Sequence, residues 1–261
     1  MALTMPAKWG KNVQPSTAKT SLLRPRQGRA AAFKDICRMK LYQTYLSPFP
    51  TRVRVLLYAK NIDVEIIEPE GFHGSQKSKS SYEEVNPIGR IPALVLDDGR
   101  VLPESEVICE YLEDAFPEPS LRPTDPWALA QVRLLSRISD FYVVMAMVPL
   151  FNESGKRRAD WNRERIDAAV VEVFKSLEYL EEYIGEDGYA VGTSLTQADG
   201  VLLPILMLAS KWAPALFGTD NPFDRLPKLA AYYTAVQLDP IAKRVMDETL
   251  EAIGASQGRR K

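Results

Sequence analysis

The chain has 261 residues, 46% hydrophobic and 26% charged, a profile that fits a globular protein of one large domain or two ordinary ones. Its one histidine, His73, and two cysteines, Cys37 and Cys109, cannot supply a four-ligand zinc site. A Ser-His-Asp triad would have to rest on His73, inside the loop-like run Gly71-Phe72-His73-Gly74. The net charge is −1, but residues 1–38 carry eight Lys/Arg against one acid, which leaves 25 basic and 33 acidic residues in 39–261. An acidic body repels phosphate, so no nucleic-acid partner is expected.

Cys37 and Cys109 show no disulfide spacing, which points to a reducing, cytoplasmic setting. No apolar run reaches the roughly 18 residues that cross a bilayer. The nearest is Ala198–Ala209, with Asp199 and Gly200 at its start, and no membrane partner is expected. Residues 1–38 are basic, acid-poor and without hydrophobic periodicity. They read as a disordered extension, as an upstream start before Met39, or as an organelle transit peptide. The composition favours the first two.

From Met39 the elements alternate. Leu41–Tyr45 reads as a strand. Ser47 and Pro48 then look like a helix N-cap and N1 pair. Val53, Leu56, Leu57 and Lys60 share one helical face, with Lys60 snorkelling at its end, and Asn61 closes the helix. Val64–Ile67 is a second strand, completing a βαβ unit. A polar loop covers Glu68–Ser81, followed by a turn into Pro92 and a short apolar strand through Leu96. Asp97-Asp98-Gly99-Arg100 is a hairpin signal, Val101-Leu102 pairs back, and Glu104-Ser105 opens a helix with an inward stripe of Val107, Ile108, Tyr111 and Leu112. Cys109 lies within that helix, where a thiol is ordinarily inert.

A proline-rich connector, Pro117–Pro126, leads to helices only. Trp127–Leu150, Asn162–Ile184 and Thr196–Leu208 are long, and two shorter helices follow Pro227 and Pro240. Thr196-Gln197-Ala198-Asp199 has capping-box form, but the staple partner of Leu195 would be Gly200, which has no side chain.

Three segments carry a specific resemblance: Ser47-Pro48-Phe49-Pro50-Thr51-Arg52-Val53, then Asn86-Pro87-x-Gly-x-Ile91-Pro92-Ala93-Leu94, then Glu104-Ser105-x-x-Ile108-x-x-Tyr111-Leu112. In this order and spacing they resemble the glutathione-site segments of cytosolic glutathione transferases, and the likeness spans residues 39–255. It implies an α/β thioredoxin-like domain over 39–118 and an all-α substrate domain over 126–255, with residues 256–261 as a tail. It also implies a homodimer, with glutathione as co-substrate, no metal, and a small hydrophobic electrophile as second substrate.

Such an enzyme must hold a thiol of pKa near 8.5 as its anion. Lowering that value by two units needs about 2.7 kcal/mol. A hydroxyl hydrogen bond to the anion contributes about 1.5–3 kcal/mol, and a helix N-terminus about 0.3–2 kcal/mol. Read locally, Ser47 is an N-cap; the resemblance to serine-type members makes it the thiolate stabiliser, with Tyr45 and Thr44 as nearby alternatives. Pro92 resembles the family's cis-proline, which turns the Ile91 backbone toward glutathione in a strand-like pairing. Glu104 and Ser105 match the pair that captures the γ-glutamyl end, and Lys77 or Lys79 would take the glycyl carboxylate. The second-substrate pocket is expected from Tyr45, Phe49, Tyr142, Met145 and Trp212, beside Met147.

The connector and the Ser-Pro-aromatic loop are also similar to those of glutathione-dependent β-etherases. Zeta-type isomerases of maleyl compounds share the serine but carry a serine- and cysteine-rich loop that is missing here. Omega-type disulfide exchange would need a cysteine at position 47. A non-catalytic binding or regulatory role on the same fold is the alternative from a different class.

Overall fold

Helix α1, Pro48–Ala59, is buried along almost its whole circumference, so it lies between layers rather than on a surface. On one side is a four-stranded sheet of order β2-β1-β3-β4, made of β1 Lys40–Tyr42, β2 Glu65–Ile67, β3 Ala93–Val95 and β4 Val101–Pro103. β1 runs parallel to β2 and antiparallel to β3, and β3 is antiparallel to β4. This computed structural model describes residues 39–69 and 82–258, apart from the side chains of 256–258. The described residues all belong to one compact unit, Cys37–Lys261. Residues 1–38, with Cys37, residues 70–81, with His73, Lys77 and Lys79, and residues 259–261 lie outside the description.

The strand expected over Leu41–Tyr45 ends at Tyr42, because the chain turns at Tyr45 and Leu46 to enter α1. The α1 C-terminus follows the Asn61 reading. Asn61 has φ 50°, and the amides of Asn61 and Ile62 return to the carbonyls of Tyr58 and Leu57 at 3.2 and 2.8 Å, a Schellman closure. Lys60 does not snorkel. Its side chain is buried, with Nζ 2.8 and 2.7 Å from the carbonyls of Phe116 and Pro119 and 3.2 Å from Glu113.

A four-residue helix α2, Tyr82–Val85, opens the second described stretch. The β3–β4 hairpin turns as expected, with Gly99 at φ 84° and its amide 2.9 Å from the Leu96 carbonyl. In α3, Ser105–Ala115, the buried face is Ser105, Ile108, Cys109 and Leu112. Val107, expected inward, is 48% exposed; the i, i+3, i+4, i+7 face runs one residue away from it. Burial pushes the Cys109 thiol well above its ordinary range, so it stays protonated and inert.

The helical part begins with α4, Pro126–Ile138, whose N-cap Asp125 takes the Ala128 amide at 2.8 Å. A π-helical turn, Ser139–Val143, joins it to α5, Val144–Ser154. The run expected to end at Leu150 thus continues for one more turn. Asn162 caps α6, Arg163–Tyr183, at 2.9 Å from the Arg165 amide. The third long helix also extends further. α7, Gln197–Met207, passes through a second π turn, Leu208–Trp212, into α8, Ala213–Phe217. α9 is Pro227–Val236, and α10, Pro240–Gly258, is long rather than short.

Pro126–Ser154 and Gln197–Phe217 are both long and apolar enough to cross a bilayer by length and composition, which the search for uninterrupted apolar runs missed. The second is used as a core helix, and the first is only partly buried. Every residue of α7 is buried, packed against α1, α4 and α10.

Gly200 explains the missing staple. A methyl group there would stand 3.3 Å from the Arg52 Cα and from the Val55 Cβ, so α7 meets α1 backbone to backbone at this point. The Thr196 capping box forms, and Asp199 also takes the Ala190 amide at 2.8 Å and the Tyr232 hydroxyl at 3.1 Å.

Candidate functional site

The sheet register gathers the three motif segments. Tyr42 at the end of β1 lies opposite Ala93 at the start of β3, and Ala93 lies opposite Pro103 at the end of β4. The chain therefore leaves β1 toward Ser47, arrives at β3 from Ile91 and Pro92, and leaves β4 toward Glu104, all at one end of the sheet. The Ile91–Pro92 bond is cis, and the ladder begins only at Ala93, so the Ile91 backbone lies outside the strand pairing. The carbonyl before it, of Arg90, is anchored by the Tyr82 hydroxyl and the Asn86 amide group, each at 2.7 Å.

Ser47 occupies the N-cap position of α1 with extended backbone, φ −89° and ψ 134°, yet its side chain makes no cap hydrogen bond. A cap hydroxyl accepts from the amide of N2 or N3; N3 here is Pro50, which has no N–H, so only the Phe49 amide is left as a donor, and the Ser47 hydroxyl does not take it. The Ser47 hydroxyl is left partly exposed at the positive end of a twelve-residue helix. The second proline was visible in the sequence and is the signal that weakens the N-cap reading.

Glu104 adopts φ 71° and ψ 113°, outside the regions favoured by residues with a Cβ. Its side chain is exposed and caps nothing, and the next residue, Ser105, is buried at the first position of α3. Such a conformation persists where surrounding structure imposes it, commonly at ligand clamps.

Two arginines on α1 complete the surroundings. Arg52 is buried and bridges Glu106 of α3, at 3.2 Å, to Asp140 of the first π turn, at 3.1 Å. Burial opposes its charge, but the hydrogen bond and the charge of Asp140, with the charge of Glu106, hold its pKa above the ordinary value. The pair locks the motif-bearing helices to the α4–α5 run. Arg54, also buried, reaches Gln43, Thr51 and Thr249. Sequence reasoning gave neither arginine a role, since their partners lie between 3 and 195 residues away.

The residues expected for a second-substrate pocket separate into groups. Tyr45 and Phe49 flank Ser47 and lie under the Arg54 and Arg52 guanidinium groups at 4.5 and 5.4 Å. Tyr142, two residues beyond Asp140, packs edge-on against Tyr179 and is 53% exposed, and Met145 is 59% exposed. Trp212 packs with Phe151 and Phe217 at 5.4 and 5.6 Å. No ring contact among the described residues joins it to Tyr45 or Phe49. Among the described residues, no cluster of three His, Cys, Asp or Glu side chains is placed to hold a metal ion.

The family sequence model described as "Glutathione S-transferase, N-terminal domain" matches residues 41–120, and the model for the C-terminal domain matches 163–235. The chain is 32% identical over 202 residues to the maleylacetoacetate isomerase of Pseudomonas aeruginosa, an alignment that spans 76% of this chain and 93% of that protein. The chain belongs to the glutathione S-transferase family. It is also similar to Protein LigF of Sphingobium, at 27% identity over 81% of this chain and 94% of that one. Among solved structures, a glutathione S-transferase of Methylobacillus flagellatus with glutathione bound aligns at TM-score 0.64 and 26% identity. That alignment covers 79% of this chain and 98% of its own. One from Rhodospirillum rubrum aligns at TM-score 0.65 and 29% identity, over 79% and 91%.

Proposed function

We propose that the protein is a glutathione transferase in which the Ser47 hydroxyl donates a hydrogen bond to the glutathione sulfur and keeps it as thiolate for attack on an electrophilic carbon. One observation carries this reading: the Ser47 hydroxyl lies at the α1 N-terminus and is not spent on capping. The bond and the helix end together supply the few kcal/mol that a thiolate near neutral pH requires. The Ile91 backbone, unused by the sheet, would pair with the peptide of glutathione. Glu104 and the Ser105 amide and hydroxyl would hold its γ-glutamyl end, and Lys77 or Lys79 its glycyl carboxylate. Tyr45 and Phe49 would begin the apolar surface for the electrophile, and Tyr142, Met145 and Trp212 would extend it. A homodimer belongs to the same proposal and is read from the mass in solution.

The test is glutathione conjugation to a generic aryl halide by wild type and Ser47→Ala, with glutathione binding titrated for both. A loss of about tenfold or more with binding kept supports the assignment. Unchanged activity would return Ser47 to a structural position and move attention to Tyr45. No glutathione binding by wild type would leave a binding or regulatory role on the same fold.

The similarity to a protein named maleylacetoacetate isomerase favours a second reaction for the same thiolate, although the serine- and cysteine-rich loop of that type is missing. The sulfur adds to a carbon–carbon double bond conjugated to a carbonyl, the resulting single bond rotates, and the sulfur leaves again, regenerating glutathione. Conjugation or ether cleavage of the β-etherase kind consumes glutathione stoichiometrically, whereas isomerisation turns over with a trace of it. Free-thiol titration during turnover separates the two.

A further inference from the structure

Arg54 is a cation with no exposed side-chain surface, on a helix that is itself buried. An apolar side chain of similar volume would satisfy packing there at no electrostatic cost. Instead both terminal nitrogens of the guanidinium are hydrogen-bonded, while Nε has an ion-pair neighbour but no hydrogen bond. Nη1 donates to the Gln43 side chain at 2.8 Å, and Nη2 donates to the hydroxyls of Thr51 at 3.1 Å and Thr249 at 3.3 Å. Nε lies 3.4 Å from the Glu248 carboxylate, and the guanidinium carbon lies 4.5 Å from the Tyr45 ring centroid.

Thr51 passes this contact on. Its hydroxyl accepts from Arg54 and donates to the carbonyl of Ser47 at 3.0 Å. One planar group therefore holds three points of the turn before α1: the Gln43 side chain just after β1, the Tyr45 ring, and the Ser47 backbone through Thr51. The opposing side of the group is seated on α10. Thr249 and Glu248 belong to that helix, and Glu248 also accepts from the Tyr58 hydroxyl at 2.9 Å and from Arg244 at 3.2 Å.

We propose that Arg54 is a positioning residue for the Tyr45–Ser47 turn, and that it ties the placement of the Ser47 hydroxyl to the seating of the C-terminal helix. The inference rests on the reading of Ser47 as thiolate stabiliser. A hydrogen bond to sulfur weakens steeply with misalignment, and a functional group must be held to within about 0.5 Å by its supporting shell. A lysine has no planar fork with which to reach Gln43, Thr51 and Thr249 together.

The experiment uses the full chain as Arg54→Lys, Thr51→Val, Thr249→Val and Ser47→Ala, and the double variants of the first three with Ser47→Ala. The readouts are the pH midpoint of the thiolate absorbance of bound glutathione, its Kd by calorimetric titration, and kcat and KM with an aryl halide. Arg54→Lys and Thr51→Val are expected to raise the midpoint by about half a pH unit or more. They should lower kcat by about five- to thirtyfold while Kd stays within about threefold. Thr249→Val, on a different helix, should move both in the same direction by a smaller factor. On the Ser47→Ala background the same changes should add less than about twofold, because they act through that hydroxyl. If Ser47→Ala shifts the midpoint and neither Arg54→Lys nor Thr51→Val does, the positioning role is overturned and the Ser47 reading stands. If Ser47→Ala itself shifts nothing, the reading of Ser47 falls and the inference with it. Should Arg54→Lys fail to fold, the two threonine variants, each losing one hydroxyl, decide the matter.

Discussion

Lys60 Nζ lies 3.2 Å from the Glu113 carboxylate, with side-chain exposures of 0% and 2%. The pair joins the C-terminal end of α1 to that of α3 and gathers the connector between the two layers. Lys60 donates to the carbonyls of Phe116 and Pro119, and Glu113 takes the Leu121 amide and the Ser120 hydroxyl at 3.1 and 3.2 Å.

Lys60→Met removes one charge and leaves the other buried. The expected loss is about 3–5 kcal/mol in urea unfolding. Adding Glu113→Gln should recover part of it, with a coupling of about 1–3 kcal/mol. A loss below about 1 kcal/mol in the single variant would mean that Glu113 gains water or a proton on removal of Lys60.

Gly200 sits where α7 crosses α1. Alanine there gains about 1 kcal/mol of helix propensity, but its Cβ would press on the Arg52 Cα and the Val55 Cβ at 3.3 Å. Overpacking against backbone costs about 1–3 kcal/mol, so Gly200→Ala should lower the thermal midpoint on balance. A higher midpoint would show that α1 can yield at this crossing.

Glu104 holds φ 71° at a cost of about 1–3 kcal/mol. Glycine would remove that strain and add about 0.4–1 kcal/mol of unfolded-state entropy. Glu104→Gly is therefore expected to be neutral to slightly stabilising in denaturant while, on the role proposed for Glu104, weakening glutathione binding by about tenfold or more. Tight binding retained in this variant would remove Glu104 from the site.

Glu153, buried at the end of α5, takes the Lys156 ammonium at 2.6 Å and the Asn162 amide at 2.9 Å. The Lys156 bond first, and the Asn162 amide next, hold its pKa below the ordinary 4.5. A depressed carboxylate stabilises the fold above its unfolded value, and that stability disappears as pH falls through the folded value. Glu153→Gln should thus unfold more easily than wild type at neutral pH, with the gap closing as the pH drops below 4.5. A gap that stays constant with pH would assign the loss to packing instead of charge.

Much of the architecture was legible in the residues. The βαβ unit, the Asp97–Arg100 hairpin, the capping box at Thr196, and the break at Pro117–Pro126 are local signals, and each formed as read. Where reading failed, the deciding partner was distant in sequence. Lys60 reads as a snorkelling surface residue because nothing near it announces Glu113, and Val107 reads as core because α3 can be phased one residue either way. The two π turns at Ser139–Val143 and Leu208–Trp212 have no sequence signature that an ordinary helix lacks.

The sequence alone determined the family, the order of elements and the spacing of the three motif segments, because these depend on spacing, glycine and proline chemistry, and short-range capping. It also contained a signal against capping by Ser47, since Pro50 removes one of the two amides such a cap could use. Only the tertiary structure decided that Ser47, Ile91 and Glu104 emerge at one end of the sheet, and that Arg52 and Arg54 are buried and paired. Strand register and helix crossing bring together groups up to 195 residues apart, and a buried charge is tolerable only once all of those partners are in place.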